Sequence, residues 1–400
     1  MTPELIHIFS AGDHYSPKTG SSVPTVIYEL SQQHHLQGGA TRVIVGRGTF
    51  DGFPPYPVGG IYEVDYRPFP ERQVRMIDAC LGAINLPRIN KWKCYGGALG
   101  AIPEDFHDWI LVHGEPAIIR PLRRFRPRAK LALYCHYELL RWYTRPEVNR
   151  VLNDINIAVC ISEYIARYVS RKAGRRSAKL AIVLNGVDTD RFTPAAAPPA
   201  GDPVILYVGR VHPEKGVHHL AEAALILHRR NRRFRLRIVG GQLLAKGVPL
   251  SEYESQIRRD LAVLGDAVEF VPFVEREHIP ALFREAHIFC APSVANEAFG
   301  LVVAEAMSCG LAVVASDRGA IPEVGGNAIM YFTVPNSTVL ADQLERLLIN
   351  QELRQTMSIA ARQRAMELTW SAAYQRLMGE LQNHGGAPRA TVARSNVAIR

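Results

Sequence analysis

At 400 residues, 47% of them hydrophobic and 21% charged, the chain has the composition of a globular protein with room for two ordinary cores, which excludes intrinsic disorder. Its formal charge of +9 is strongly basic, yet no nucleic-acid recognition motif accompanies that charge, so no nucleic-acid partner is expected. Apolar runs such as Leu301 to Met307 and Leu311 to Ala315 stop far short of the roughly 20 residues that span a bilayer.

Met1 to Ile6 carry neither the basic region nor the apolar run of a signal peptide. The six cysteines (Cys80, Cys94, Cys135, Cys160, Cys290 and Cys309) show no paired CxxC spacing, and a reduced, cytoplasmic setting is expected. Basic residues gather in Arg120 to Arg128, in Arg171, Lys172, Arg175 and Arg176, and in His228 to Arg233. Two readings of these clusters stay open. They suit solvated helix ends, or they suit attraction to anionic lipid or a phosphorylated acceptor, with peripheral contact at the inner face of a membrane through the N-terminal half.

In chain order, Leu5 to Ser10 reads as a strand that ends in a loop of Gly, Ser and Pro, Ala11 to Pro24, before a helix over Thr25 to Gln33. Arg42 to Val45 is the next strand, followed by a loop from Gly46 to Gly60. Trp109–His113, Lys130–Cys135 and Asn156–Ile161 are continuous apolar runs of the kind buried on both faces of a parallel sheet. Thr193 to Pro203, rich in Pro and Ala, has nothing to bury and reads as a linker. Beyond it the alternation restarts with Val204–Val208, a helix from Val217 to Asn231, and strands at Arg235–Val239, Val268–Val271, Ile288–Ala291 and Ala312–Ala315. Residues Ser337 to Asn383 read as mostly helical, and the basic tail from Gly385 to Arg400 as disordered. Two successive β/α units predict an α/β protein with two Rossmann-like, doubly wound domains facing across a cleft. The expected boundaries are 1–192 for the first domain, 193–203 for the linker, 204–368 for the second domain, 369–384 for a final crossing helix and 385–400 for the tail.

Four stretches carry chemistry. In the first, Asn296 to Gly300 forms a loop at the carboxyl end of a strand, where open α/β sheets bind ligands, and Leu301 to Ser308 is the helix after it, closed by Gly310. Gly300 then lies at a helix N-terminus, where its amide and that of Leu301 can meet an anion. Glu297 in the loop and Glu305 in the helix, eight positions apart, can hydrogen-bond sugar and ribose hydroxyls. In the second, a strand ends at Gly209, and Arg210 and Lys215 follow in a tight loop; a forked guanidinium and a point charge there can neutralise a leaving diphosphate. In the third, His136 closes the strand Lys130–Cys135 and faces the cleft, with a satisfied core histidine as the alternative; His113 has a similar location one strand earlier. In the fourth, Thr19 to Ser22 precedes a helix, and Gly20 allows close backbone approach.

Glu297 and Glu305, flanking Phe299-Gly300-Leu301, resemble the EX7E signature of family 4 glycosyltransferases of the GT-B fold. Ala291-Pro292-Ser293 before it and Arg318 to Glu323 after it fit as well, as does the Gly209-Arg210…Lys215-Gly216 loop. The resemblance implies that Gly20, Gly209, Arg210, Lys215, Phe299, Gly300, Leu301 and Glu305 bind the donor, and that His136 and Glu297 are catalytic and orient the transferred sugar. It implies a UDP- or GDP-sugar donor in the C-terminal domain, a sugar or lipid-linked acceptor on the N-terminal one, retention of anomeric configuration, and neither metal nor cofactor. The N-terminal half is loosely similar to the spore-coat and cell-surface polysaccharide branch. Asp188-Thr189-Asp190 has the form of a metal-holding DXD, but it falls in Asn185-Gly186-Val187-Asp188, which resembles the family's segment leading into the linker and suits a turn. His212, His218 and His219 match no zinc spacing. Two rival activities stay open, a sugar-nucleotide epimerase on the same fold and a nucleotide-sugar-binding protein without turnover.

Overall fold

The apolar runs Trp109–His113, Lys130–Cys135 and Asn156–Ile161 each become a strand of a parallel sheet, and a second parallel sheet follows in the C-terminal half. The computed structural model describes residues 2–10, 13–47, 54–66, 72–84, 86, 88, 93–197, 199–242 and 249–386. The first sheet holds β1 (Leu5–Ile8), β2 (Thr41–Gly46), β3 (Gly60–Val64), β4 (Trp109–His113), β5 (Lys130–Cys135), β6 (Ile157–Cys160) and β7 (Leu180–Ile182), in the order β3-β2-β1-β4-β5-β6-β7. The second holds β8 (Val204–Val208), β9 (Arg235–Val239), β10 (Val268–Val271), β11 (Ile288–Ala291), β12 (Ala312–Ser316) and β13 (Met330–Phe332), in the order β10-β9-β8-β11-β12-β13. All residues of β1, β4, β6, β11 and β12 are buried, because helices cover both faces of each sheet.

Both sheets reverse their strand order at one place, between β1 and β4 and between β8 and β11. Loops leaving the two strands on either side of such a point diverge and leave a crevice at the carboxyl ends. The first helix runs over Ser22–Leu36, longer at both ends than its apolar period suggests. The helix after β11, Leu301–Ser308, has the boundaries read from the sequence, with Gly310 at φ 71° just past its end. The sequence reading omitted three strands: β3 is mostly exposed, and β7 and β13 are three residues each. The parts of the predicted loop 11–24 over 11–12, of the loop 46–60 over 48–53, of the linker at 198, and of the tail from 387 onward lie outside the described residues.

After β13 the chain forms three helices, Ser337–Ile349, Gln351–Glu367 and Trp370–Asn383. The last of them returns to the first sheet's layer. Tyr374 Oη lies 3.0 Å from the buried His34 Nδ1 on the helix Ser22–Leu36, and Asn156 Nδ2 donates to the carbonyls of His384 and Gly386. The entry to this crossing is pinned by the Asn185-Gly186-Val187 segment, where the Val187 amide donates to the Leu368 carbonyl at 2.7 Å. Asp188 makes a turn here, its Oδ1 accepting from the amides of Asp190 and Arg191. A Cβ on Gly186 would sit 2.4 Å from the Trp370 nitrogen, so only glycine lets the two backbones touch. Gly186→Ala therefore has to push the crossing helix away and is expected to destabilise the protein by about 1–3 kcal/mol, the usual cost of overpacking; a denaturant midpoint within error of wild type would contradict this packing.

Candidate functional site

The two crevices face each other and enclose one cavity of about 390 Å³. All ten residues that the resemblance assigns to the site line it, Gly20 and His136 from the first sheet's loops and Gly209, Arg210, Lys215, Glu297, Phe299, Gly300, Leu301 and Glu305 from the second's, whereas His113 lies behind His136 and does not.

The loops after β8 and β11 are locked together by backbone contacts. Gly216 (φ 68°) abuts the Pro292 carbonyl so closely that a Cβ would lie 1.9 Å from its oxygen. Beside it, the amides of Val294 and Ala295 both donate to the Glu214 carbonyl. This contact brings Lys215 to Glu297: the ammonium donates to Oε1 at 2.6 Å, and Ser293 Oγ donates to the same oxygen at 2.6 Å. Glu297 is also fixed from behind, its carbonyl accepting the Ala320 amide at 2.8 Å. Arg210 lines the cavity, and its guanidinium makes no hydrogen bond or ion pair among the described residues. Gly300, at φ 93°, opens the helix Leu301–Ser308, whose first amides have no intrahelical acceptor. Phe299 borders the cavity, but its ring is buried in the hydrophobic core and anchors the loop.

Glu305 is buried and accepts from Arg276 Nη2 at 2.7 Å. Burial works against the Arg276 charge, and the nearby Glu305, Tyr56 and Glu29 more than offset it, so its pKa is raised. Arg276 and Ser293 are cavity residues that the sequence reading did not single out. Only the fold shows that Arg276 meets a carboxylate 29 positions away. Across the cleft, Ser162 Oγ donates to the Ala298 carbonyl at 2.7 Å. The Glu323 carboxylate accepts the amides of Glu163 and Tyr164, capping the first-domain helix Glu163–Ala173 from the second domain.

His136 faces the cavity and is also a bonded core histidine. Its Nε2 lies 2.7 Å from His113 Nδ1, and His113 Nε2 lies 2.9 Å from His7 Nδ1. Burial pushes His136 and His7 down to about 3 and His113 well below the usual imidazole range, so all three rings are neutral at physiological pH.

The basic clusters are partly consumed by the fold. Arg126 is buried and donates to the carbonyls of Leu99 and Ile102, while Arg123 donates to those of Asp154, Pro127 and Ala129. Arg230 pairs with Asp342 and Glu345, and Arg232 with Glu345. Among the described residues no helix is long and apolar enough to cross a membrane.

Two family descriptions match the chain one after the other: Glycosyltransferase Family 4 over residues 23–191 and Glycosyl transferases group 1 over residues 188–364. The chain belongs to family 4 of the glycosyltransferases, with the GT-B fold of two facing Rossmann-like domains. It is 33% identical over 200 residues to a D-inositol 3-phosphate glycosyltransferase of Saccharomonospora viridis, a match over 46% of each chain. The chain thus spans about half the length of that relative. Spore coat protein SA of Bacillus subtilis is 24% identical over 291 residues, covering 68% of this chain and 77% of that one. In fold, HepE of Anabaena, solved in complex with UDP, matches with a TM-score of 0.70 and 17% identity over 95% of this chain and 100% of that one.

The neutral histidine row has a consequence for stability. An unfolded chain takes up protons on these rings as pH falls through 6.5, whereas the folded chain resists until about 3, so their stabilisation is complete above pH 6.5 and is lost on acidification. Glu29, raised to about 7 by burial and then Asp188, and Asp154, raised by burial, act in the opposite sense, while His34, His218 and His287, lowered by burial, act with the row. The melting temperature is expected to fall steadily between pH 6.5 and 4.5; an unchanged value across that window would contradict three buried neutral rings.

Proposed function

We propose that the chain is a retaining glycosyltransferase that moves a hexosyl unit from a UDP- or GDP-sugar to an acceptor in polysaccharide or glycoconjugate biosynthesis. The observation that carries this reading is the unpaired Arg210 guanidinium beside Lys215 and the open helix N-terminus at Gly300, all lining one cavity with His136. A diphosphate needs that combination: a forked donor, a point charge and oriented amides. Lys215 has three N–H donors, so it can keep Glu297 and still donate to a phosphate oxygen.

In this reading Glu305 uses its carboxylate on the ribose diol while Arg276 holds it in place. Glu297 and His136 orient the transferred sugar from opposite sides of the cleft. The acceptor oxygen bonds to the anomeric carbon on the face from which the nucleotide departs. As the bond from that carbon to the diphosphate breaks, the acceptor's proton passes to the departing phosphate oxygen, and a glycoside and a nucleoside diphosphate result. No protein nucleophile is used. Arg210 and Lys215 stabilise the charge that grows on the diphosphate, and closure of the two domains on the bound substrates keeps water from competing. The UDP bound to HepE supports a uridine donor through fold alone, and the base stays open between uracil and guanine.

Incubation with UDP- and GDP-sugars is expected to release nucleoside diphosphate only when an acceptor is present, and the release should survive EDTA. Isomerisation of the donor without transfer would replace this reading with an epimerase, and loss of activity in EDTA would return a metal role to Asp188 and Asp190. The acceptor is read as a sugar or a lipid-linked sugar met at the inner face of the cytoplasmic membrane. Arg120, Arg124 and Arg128 stay exposed, and Phe125 and the 74%-exposed Trp142 lie among the uncovered apolar residues. Co-sedimentation with vesicles rich in anionic lipid, weakened by salt, is the expected result; equal recovery without vesicles would remove the membrane contact.

A further inference from the structure

Behind the cavity, three strands place three histidines in a row: His136 just past β5, His113 at the end of β4 and His7 within β1. Their rings lie edge to edge and nearly coplanar, with centroids 5.0 Å apart and planes at 24° between His136 and His113, and 5.2 Å and 27° between His113 and His7. Tyr134 stacks on both His113 and His136, and all four side chains are buried. The outer end of the row is His136 Nδ1, which has no hydrogen-bond partner among the described residues and belongs to a ring lining the cavity. The inner end is His7 Nε2, which is buried and also without a partner.

A neutral imidazole has one N–H and one bare nitrogen, and each hydrogen bond needs one of each. Two bonds in series therefore allow only two arrangements. Either every ring carries its proton on Nδ1, or every ring carries it on Nε2. Burial keeps the rings neutral, which removes arrangements with a charged member. The choice then falls to the inner end, which must hold either a bare lone pair or an N–H with no acceptor. Orphaned buried N–H groups are the rarer of the two in folded proteins. We infer that the row holds all three rings in the Nδ1–H form, so that His136 presents an N–H donor to the cavity and His113 and His7 are positioning residues that fix this polarity. If the occupant is a nucleotide sugar, as proposed above, the donor meets a hydroxyl oxygen of the transferred sugar; the reversed row would offer a bare nitrogen instead.

Nitrogen NMR on the full chain, labelled with 15N-histidine and free of ligand, reads the tautomers directly, with single substitutions assigning the signals. The expected result is a proton on Nδ1 and none on Nε2 at His7, His113 and His136. A proton on Nε2 of any of the three overturns the inference, whatever the protein catalyses. In the active protein, His7→Leu removes the donor to His113 and should lower kcat about fivefold, the value of one neutral hydrogen bond. KM for the donor should stay unchanged, and His136 should lose its fixed tautomer. His7→Asn, whose amide can donate from nearly the same place, should restore both readings. Unchanged kcat and an unchanged His136 signal in a folded His7→Leu protein would show that His7 positions nothing. Should His7→Leu fail to fold, the wild-type spectrum still decides, and should no transfer be detected, the tautomers are read all the same.

Discussion

The ion pair between Lys215 and Glu297 joins two loops that lie 82 positions apart in the chain, and the second domain's wall of the cleft is organised around it. Neither residue can reach the other unless the loops after β8 and β11 touch, which Gly216 allows by leaving the Pro292 carbonyl unobstructed. Both side chains are only partly buried, so the pair adds little to stability. Its physical effect is to keep a cation and a carboxylate at fixed places beside an unpaired Arg210. A site poised in this way needs little reorganisation when charge develops in it.

The same logic extends across the cleft. Glu323 caps a helix of the first domain and Ser162 bonds to the Glu297–Gly300 loop, so the loop that carries the Glu297 carboxylate is also tied to the position of the other domain. Contact between the domains and order in the site are thereby linked. His136 completes the cavity from the opposite wall, held in place by the two histidines hydrogen-bonded in series behind it.

Much of this was legible in the sequence because the relevant signals are local. Continuous apolar runs such as Trp109–His113 and Ile288–Ala291 mark buried parallel strands without knowledge of their neighbours, and a strand followed by Gly209-Arg210 or by Glu297 to Gly300 marks a crevice. What escaped depends on partners remote in the chain. Arg276 looks like any loop arginine until it meets Glu305, and Arg123 and Arg126 count as surface charge until carbonyls of their own domain absorb them. His7 sits in a plain strand, and its part in a row with His113 arises only because β1 and β4 are neighbours at the switch in strand order. β3 was missed for the opposite reason, since an exposed edge strand needs no apolar run.

Binding of a nucleoside diphosphate through Arg210 and Lys215 is the central claim, and calorimetric titration of UDP and GDP into the wild-type protein and into Arg210→Ala/Lys215→Ala measures it most directly. The account predicts one site per chain for the preferred nucleotide in the wild type, and a loss of affinity of about a hundredfold or more in the double variant, as expected when two charge-assisted contacts worth about 1.5–3 kcal/mol each are removed. Equal affinity in the two proteins would contradict it.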